Sequence, residues 1–370
     1  MKPQIIAYYL PQFHPTPEND EWWGKGFTEW TNVAKAKPLY KNHYQPKIPA
    51  DLGFYDLRLP ESRELQAEYA KRAGVDAFCY WHYWFGNGKR ILNTPIEEVI
   101  RLGKPDFPFC FGWANHSWYN KTWKTTNGLM DVLKSKLLIE QKYPGKKDII
   151  EHYNTLKSAF CDPRYYKVDN KLLFVIFSPD EIPNFLEFSE IWNDLAIKDG
   201  LNGFHFVAHA YSNFSSYDKY LAMGYDAVNI SRHHVPFTDD NRTKKTGMSL
   251  FFDRIHRYTK IKPQIVEYKN VIKYLDSSIF EKEEIYPTIV PNWDHTPRSG
   301  IYGRVYQNCT PGLFKIHVEQ IFKRIKEKPE QKKIVFLKSW NEWGEGNYME
   351  PDLKYGCAFI DVLKKSKEQF

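Results

Sequence analysis

The stretch IVFLKSWNEWGEG, residues 334–346, joins four apolar residues to a segment with two carboxylates set among tryptophans and glycines. A short continuous apolar run is typical of a strand buried on both faces, so we predict a buried strand at residues 334–337. Glu342 and Glu345 then follow the end of that strand. Two carboxyl groups held close together cannot ionise independently, so we expect one pKa to rise toward that of a proton donor while the other group stays basic. The alternative is a surface loop with two solvated acids, which the flanking tryptophans and glycines make less favourable.

Seven further runs of the same kind precede this one, at residues 5–10, 77–81, 109–113, 172–177, 204–209, 227–230 and 285–290. Helical apolar spacing occurs between them, for example at residues 61–73, which precede Gly74, and at residues 314–326. Eight strands alternating with helices predict an α/β fold, a single (β/α)8 TIM barrel over residues 1–370. A doubly wound sheet is the alternative, but no strand is followed by G-x-G-x-x-G or a phosphate-binding P-loop.

Three long segments are predicted as insertions in the βα loops, near residues 18–52, 118–147 and 238–262. The first holds Trp22, Trp23 and Trp30 and has no clear period. Because long loops without secondary structure are uncommon in compact domains, we expect this insertion to be functional. Its tryptophans would form either a stacking surface or the local core of the loop.

Polar and aromatic side chains follow nearly every predicted strand at its C-terminal end, where TIM barrels place their active sites. We take Glu342 and Glu345 as candidate catalytic residues. Glu29 could instead cap a helix, and Asp294 could instead form a structural pair with Arg298. The candidate substrate-binding residues are Tyr8, Gln12, His14, Glu29, Trp30, His82, Tyr83, Trp113, Asn115, His116, His209, Trp293, Asp294, Arg298, Trp340 and Asn341.

Composition narrows the possible ligands. Aromatic residues make up 17% of the chain, with 12 Trp, 25 Tyr and 25 Phe, which favours a cleft that stacks flat rings such as sugars. The net charge is +7, but the lysines are scattered and form no basic stripe, so nucleic-acid binding is not favoured. A mildly basic surface is compatible with peripheral contact to an anionic, lipid-linked glycan.

No metal site, membrane span or signal peptide is predicted. The five cysteines are odd in number and form no C-x-x-C, and His209, His233 and His234 lack the carboxylates of a zinc motif. No run approaches the roughly 18 apolar residues of a transmembrane helix. Residues 1–10 lack the apolar length of a signal peptide, so we expect a cytoplasmic protein.

Five blocks of the sequence resemble the WbsX-type glycosyltransferases of surface-polysaccharide gene clusters. They are IAYYLPQFHPTPENDEWWGKGFTEWTNVAKAKPLYKNHYQPKIPADLGFYDLRLPE, FCYWHYWFGNGKR, GKPDFPFCFGWANHSW, VPNWDHTPR and KSWNEWGEGNYMEPD, and they run from near residue 5 to near residue 352. The family in turn is similar to glycoside hydrolase family 99, the retaining endo-α-mannosidases and endo-α-mannanases. This resemblance implies a (β/α)8 barrel that acts on an oligo- or polysaccharide without a metal or other cofactor.

The resemblance also implies a division of labour between the two acids. Glu342 would be the general base that deprotonates the sugar 2-hydroxyl, and Glu345 the general acid that protonates the leaving oxygen, through a 1,2-anhydro sugar. Water opening this epoxide gives hydrolysis, and another sugar gives transfer. His116 stands where these families usually have an acid after W-A-N, so we expect it to change the substrate or weaken activity.

Two other functions stay open. A nucleotide-sugar-dependent glycosyltransferase of polysaccharide biosynthesis would need a nucleotide diphosphate site, for which the sequence shows neither D-x-D nor a glycine-rich phosphate loop. A non-catalytic glycan-binding barrel is the other alternative, and His116 is the residue that suggests it. The sequence decides neither the sugar nor the linkage.

Overall fold

The chain forms a closed barrel of eight parallel strands in a computed structural model that describes residues 2–119, 136–210, 217–234 and 262–370. Each strand pairs with its neighbours in chain order, and β8 pairs with β1 to close the barrel. The predicted TIM barrel is confirmed, with every strand end within one residue of its predicted place. The strands are β1 (Gln4–Tyr9), β2 (Ala77–His82), β3 (Phe109–Trp113), β4 (Lys171–Ile176), β5 (Phe204–Ala210), β6 (Ala227–Ile230), β7 (Ile285–Ile289) and β8 (Ile334–Leu337).

Among its apolar side chains, the barrel interior holds a group of polar side chains that hydrogen-bond to one another. The Tyr8 hydroxyl donates to Asn229 Oδ1 at 2.7 Å, and Asn229 Nδ2 donates to the Tyr286 carbonyl and to Thr288 Oγ1, both at 2.9 Å. Buried polar groups are costly unless they are paired, so these bonds fix the register of facing strands without leaving unsatisfied amide groups. This polar group lies beneath the C-terminal rim, where the pocket described below opens.

Helices surround the barrel. Pro60 at the first position of α3 and Gly74 after its last residue, at φ 80°, are the start and stop signals expected of an α-helix. The helices are α1 (Pro17–Trp23), α2 (Glu29–Lys35), α3 (Pro60–Ala73), α4 (Thr94–Leu102), α5 (Lys146–Phe160), α6 (Phe185–Lys198), α7 (Tyr217–Ala222), α8 (Tyr268–Leu275), α9 (Thr296–Ser299), α10 (Pro311–Ile325) and α11 (Ala358–Gln369). Within the described ranges, no helix has the length and apolar character that a membrane crossing requires.

Short elements complete the described part of the chain. Turns of 3₁₀ helix occur at Pro179–Glu181, Ser278–Glu281, Gly300–Tyr302, Glu330–Lys332 and Trp343–Glu345. Short strands outside the barrel are Trp118–Tyr119 with Leu137–Ile139, Gln264–Glu267 with Arg304–Gln307, Asn341–Glu342 with Asn347–Tyr348, and Lys167–Val168 at the edge of β4.

The first insertion has its own secondary structure, contrary to the absence of a period in its sequence. It contains α1, which the Thr16 side chain caps, and α2, which begins at Glu29. Trp30 packs against the Phe13 ring at 4.6 Å and the Trp343 ring at 5.6 Å between centroids, so it belongs to the local core that joins the insertion to the end of β8. Of the other predicted insertions, residues 120–135 and 238–261 lie outside the described residues.

Candidate active site

A pocket of about 370 Å³ opens at the C-terminal end of the barrel, within the size range of small-ligand sites. The segments that follow β1, β2, β3, β4, β7 and β8 all contribute to its wall. Its lining residues are Leu10, Gln12, Trp81, Tyr83, Ala114, His116, Ser117, Trp118, Tyr119, Phe177, His295, Arg298, Lys338, Glu342 and Glu345.

A tight hairpin after β8 presents both candidate catalytic glutamates to this pocket. Asn341–Glu342 pairs with Asn347–Tyr348 across the 3₁₀ turn Trp343–Glu345. Asn341 anchors the hairpin to the end of β1, because its Oδ1 accepts from the Leu10 amide at 2.8 Å and its Nδ2 donates to the Leu10 carbonyl at 3.0 Å. The anchored turn holds Glu342 and Glu345 on rigid backbone.

Each of the two glutamates has a cation beside it. Arg298 Nη1 donates to Glu345 Oε1 at 2.5 Å. Lys338 Nζ lies 3.6 Å from Glu342 Oε2 and 5.4 Å from the centre of the Trp293 ring. Lys338 is only 4% exposed, so its charge is screened little by solvent.

The pKa of Glu342 is raised, as expected for one member of the pair. Burial raises the pKa of Glu342 above its ordinary value, and the neighbouring Glu345 raises it further. The charges of Lys338 and Arg298 oppose this rise. Glu345 itself forms a direct ion pair with Arg298.

Glu29 reaches this cluster from the first turn of α2 and is fully buried. Its Oε2 accepts from Arg298 Nε at 3.1 Å and from Arg298 Nη2 at 3.0 Å. A Cβ atom on Gly344 would overlap Glu29 Oε2, so only glycine at residue 344 leaves room for the carboxyl group. Burial raises the pKa of Glu29 to about 7, and the nearby Arg298 limits that rise. Glu29 therefore neither lines the pocket nor caps α2, whose N-cap is Thr28.

Part of the pocket wall is aromatic and uncharged. His116 packs against Phe177 with ring centres 5.0 Å apart, and burial lowers its pKa to about 4, so its imidazole is neutral at physiological pH. The Tyr83 and Trp118 rings meet edge to face at 5.2 Å. A flat ring held in this pocket would have both aromatic side chains and the charged cluster within the lining.

Two candidates lie just behind this wall. Tyr8 stacks on Trp81 at 4.7 Å, with the two ring planes 3° apart, and supports a ring that lines the pocket. His209 meets the edge of Phe177 at 5.4 Å.

Asp294 does not pair with Arg298, contrary to one of the predicted alternatives. Its Oδ2 is bonded to His43 Nε2 at 2.8 Å and accepts from Gln45 Nε2 at 2.6 Å, and its Oδ1 accepts from the Thr296 hydroxyl. These bonds join the first insertion to the loop after β7. Asp294 thus shapes the site from outside the pocket.

The remaining candidates lie outside the pocket lining. Where a hydrogen bond is described for them, it goes to a neighbouring element of the protein. His82 Nε2 is bonded to His152 Nε2 in α5 at 2.8 Å, for example, and Trp113 Nε1 donates to the Trp84 carbonyl at 2.9 Å. These candidates are His14, Trp30, His82, Trp113, Asn115, Trp293, Trp340 and Asn341.

Two residues of the pocket lining that could take part in catalysis, Lys338 and His295, were not among the candidates predicted from the sequence. Lys338 is the first residue after β8, and an isolated lysine is most often a solvated surface charge. His295 lies within the quoted block VPNWDHTPR, and its Nε2 is 3.7 Å from Glu345 Oε1. Lys338 could have been identified as a candidate because it directly follows a barrel strand, where TIM barrels place their active sites.

Among the described residues, no three His, Cys, Asp or Glu side chains are grouped so as to bind a metal ion.

Comparison with known proteins gives a consistent set of relatives. The profile of the family described as Glycosyltransferase WbsX matches residues 5–363. The uncharacterized protein WxcX of Xanthomonas campestris pv. campestris, in each of two strains, is 31% identical over 369 residues, which are 98% of this chain and 49% of that protein. This chain therefore spans about half the length of the curated relatives it matches.

Two solved structures share the fold at low sequence identity. A glycoside hydrolase-like protein is 18% identical with a TM-score of 0.59, covering 99% of this chain and 94% of the other. The GH99 endo-α-mannosidase from Bacteroides thetaiotaomicron, in complex with bis-tris-propane, is 13% identical with a TM-score of 0.61, covering 99% and 96%. At such identities the likeness establishes the barrel fold alone.

Proposed function

The chain belongs to the WbsX glycosyltransferase family, and from that premise we propose that it cleaves or transfers an internal α-glycosidic bond of a surface or cell-wall polysaccharide. One observation carries the proposal: Glu342 and Glu345 stand on one anchored turn and face a single pocket, each beside its own cation. The aromatic part of the lining suits a sugar ring. The fold shared with an endo-α-mannosidase makes α-linked mannose the first sugar to test.

We assign Glu342 as the base and Glu345 as the acid. In the first step, Glu342 takes the proton of the sugar 2-hydroxyl, whose oxygen attacks C1. The bond from C1 to the leaving oxygen breaks, and Glu345 gives that oxygen its proton. In the second step, Glu345 takes a proton from water or an acceptor hydroxyl, whose oxygen attacks C1 and opens the epoxide. Glu342 then returns the proton to O2, and the anomeric configuration is retained after two inversions.

The reverse division of roles is the second candidate, because two observations favour it. Burial raises the pKa of Glu342, which suits a proton donor. Arg298 Nη1 donates to Glu345 at 2.5 Å, and a carboxyl group paired with a cation suits a base. Lys338 acts in the other direction, because it lowers the pKa of Glu342.

Leaving-group dependence separates the two assignments. Screening α-linked oligosaccharides for products identifies the accepted sugar, and aryl glycosides of that sugar with graded leaving groups are then compared for Glu342→Gln and Glu345→Gln. We expect both variants to lose about 10²–10⁴-fold in kcat/KM with a poor leaving group. Only the acid variant should recover as the leaving group improves, because a good leaving group needs no proton. Recovery of Glu342→Gln instead would establish the reverse division.

Two controls define what would overturn the proposal. A substrate that lacks the 2-hydroxyl should not react, because it lacks the nucleophile. Turnover of that substrate would exclude the 1,2-anhydro route. Full activity of both glutamine variants would exclude the acid pair, and glycan binding by calorimetry without product from any oligosaccharide would favour a non-catalytic barrel.

A further inference from the structure

Arg298 is shared between two glutamates through different edges of its guanidinium group. Nε and Nη2 donate to Glu29 Oε2, whereas Nη1 donates to Glu345 Oε1. Because the guanidinium is planar and rigid, fixing one edge on Glu29 also fixes the direction in which Nη1 points. The position of the Arg298 contact on Glu345 therefore depends on Glu29.

Glu29 also changes how strongly Arg298 acts on Glu345. An ionised Glu29 takes part of the attraction of the guanidinium and repels a second carboxylate nearby, and this interaction between Glu29 and Glu345 is reciprocal. Glu29 Oε1 is buried without a hydrogen-bond partner, so it can carry a proton while Oε2 keeps both bonds to Arg298. The carboxyl group can thus change its charge without losing its place.

We propose that Glu29, supplied by the first insertion, is a positioning residue that holds Arg298 against Glu345 and controls how readily Glu345 takes up a proton. Glu29 is buried and does not line the pocket, so it acts through Arg298 and not by touching substrate. The proposal rests on the proposed function for its catalytic consequence. The electrostatic coupling between Glu29 and Glu345 can be measured separately from activity.

The other titratable groups near the cluster do not replace this effect. The pKa of His295 is lowered to about 3, chiefly by burial, and burial raises the pKa of Tyr83, so both are neutral near pH 7. Charged groups also include Lys338 and Glu342 beside the pair, Lys47, whose Nζ donates to the Gly346 carbonyl at 3.2 Å, and Asp294, whose amide donates to the Glu345 carbonyl at 2.7 Å. All four remain when Glu29 is changed. Glu29→Gln therefore alters one charge at Arg298 and keeps a similar shape.

Where Glu29 is ionised, above about pH 7, removing its charge should make Glu345 give up its proton more readily, because the change removes a repelling carboxylate and a competitor for Arg298. With Glu345 as acid, the basic limb of the kcat/KM pH profile should move about one pH unit lower, in line with the effect of one close charge. The two proteins should differ most above about pH 7, where Glu29 ionises. Loss of rate without movement of the limb would show that Glu29 is only structural.

A second variant displaces Glu29 without changing any charge. Gly344→Ala places a Cβ where Glu29 Oε2 lies and 3.0 Å from Arg298 Nε, so it should move the same limb in the same direction. Gly312→Ala is the matched control, because its Cβ meets nothing within 4 Å, and it should leave the limb in place. This variant keeps the proposal testable if Glu29→Gln does not fold.

Direct titration separates this inference from the proposed function. In protein labelled with ¹³C at the glutamate carboxyl carbons, the signal that disappears in Glu29→Gln belongs to Glu29. Its titration midpoint, near pH 7, should fall in Glu345→Gln whichever glutamate is the acid, because the charge of Glu345 raises the pKa of Glu29 and the coupling is reciprocal. A lower midpoint together with no turnover by the unsubstituted protein would overturn only the proposed function, whereas an unchanged midpoint would overturn the inference.

Discussion

Glu29 and Glu350 both contact the turn that carries the candidate catalytic pair, yet they are held in opposite ways. Both are almost fully buried, and burial raises the pKa of each to about 7. Glu350 accepts from three neutral donors, Trp343 Nε1 at 2.6 Å, Gln66 Nε2 at 2.6 Å and the Tyr55 hydroxyl at 2.9 Å. Glu29 instead shares a cation with another acid and leaves one oxygen without a bond.

The difference shows that a raised pKa does not by itself identify a functional acid. Neutral donors hold Glu350 without coupling it to another charge, and its bonds to Trp343 and Tyr55 fix the shape of the turn. Arg298 connects Glu29 to Glu345, so any change of charge on Glu29 reaches the pocket. The kind of partner, more than the depth of burial, separates the two carboxyl groups.

The largest effect should follow from Arg298→Met, which leaves Glu29 and Glu345 buried without their shared cation. We expect a loss of about 3–5 kcal/mol in the free energy of unfolding at pH 8, measured by urea denaturation. The loss should shrink at pH 5, because protonated carboxyl groups need no cation. Arg63→Met is the control, since this buried arginine donates to the Leu57 carbonyl, and its loss should vary less with pH. Equal losses for Arg298→Met at both pH values would contradict the assigned role of Arg298.

Glu350→Gln should lower the free energy of unfolding less than Arg298→Met does, and the loss should depend on pH in the opposite direction. Three donors now share the two carboxyl oxygens of Glu350, and they would share the single amide oxygen of glutamine. We expect a loss of about 1–3 kcal/mol in the free energy of unfolding. The folded pKa of about 7 lies above the ordinary value of 4.5, so the stability that Glu350 contributes is complete below about pH 4.5 and is lost as the pH rises through 7. Denaturant unfolding should therefore show a larger loss at pH 5 than at pH 8.

The same variant tests the contrast with Glu29. Glu350→Gln should leave the basic limb of the kcat/KM profile where it is, since no charge next to Arg298 changes. A shift as large as that of Glu29→Gln would remove the distinction between the two glutamates.

The barrel could be predicted from the sequence because strands buried on both faces need continuous apolar runs, and helix ends carry local signals such as Pro60 and Gly74. The first insertion could not. Its helices are stabilised by aromatic packing on distant segments, as between Trp30 and Trp343, and this contact has no local period.

The acids of the site could also be predicted, but not their partners. Arg298 and Glu29 are 269 residues apart in sequence, and no local pattern pairs them. The sequence also did not predict which side chains at the strand ends point into the pocket, because alternate residues of a strand face opposite sides. Trp81 and Tyr83 line the pocket, whereas His82 between them bonds to α5.

Lys338 extends the comparison to a buried cation and gives the smallest expected effect. In Lys338→Met the ammonium group no longer stabilises the Glu342 carboxylate 3.6 Å away, so the pKa of Glu342 should rise. If Glu342 is the base, the acidic limb of the kcat/KM profile should move to higher pH by about one unit. Lys328→Met is the matched control, because this buried lysine donates to the Ile285 carbonyl at the N-terminal end of β7, away from the pocket. An acidic limb that stays in place for Lys338→Met, or moves equally for Lys328→Met, would show that proximity to Glu342 does not tune the base.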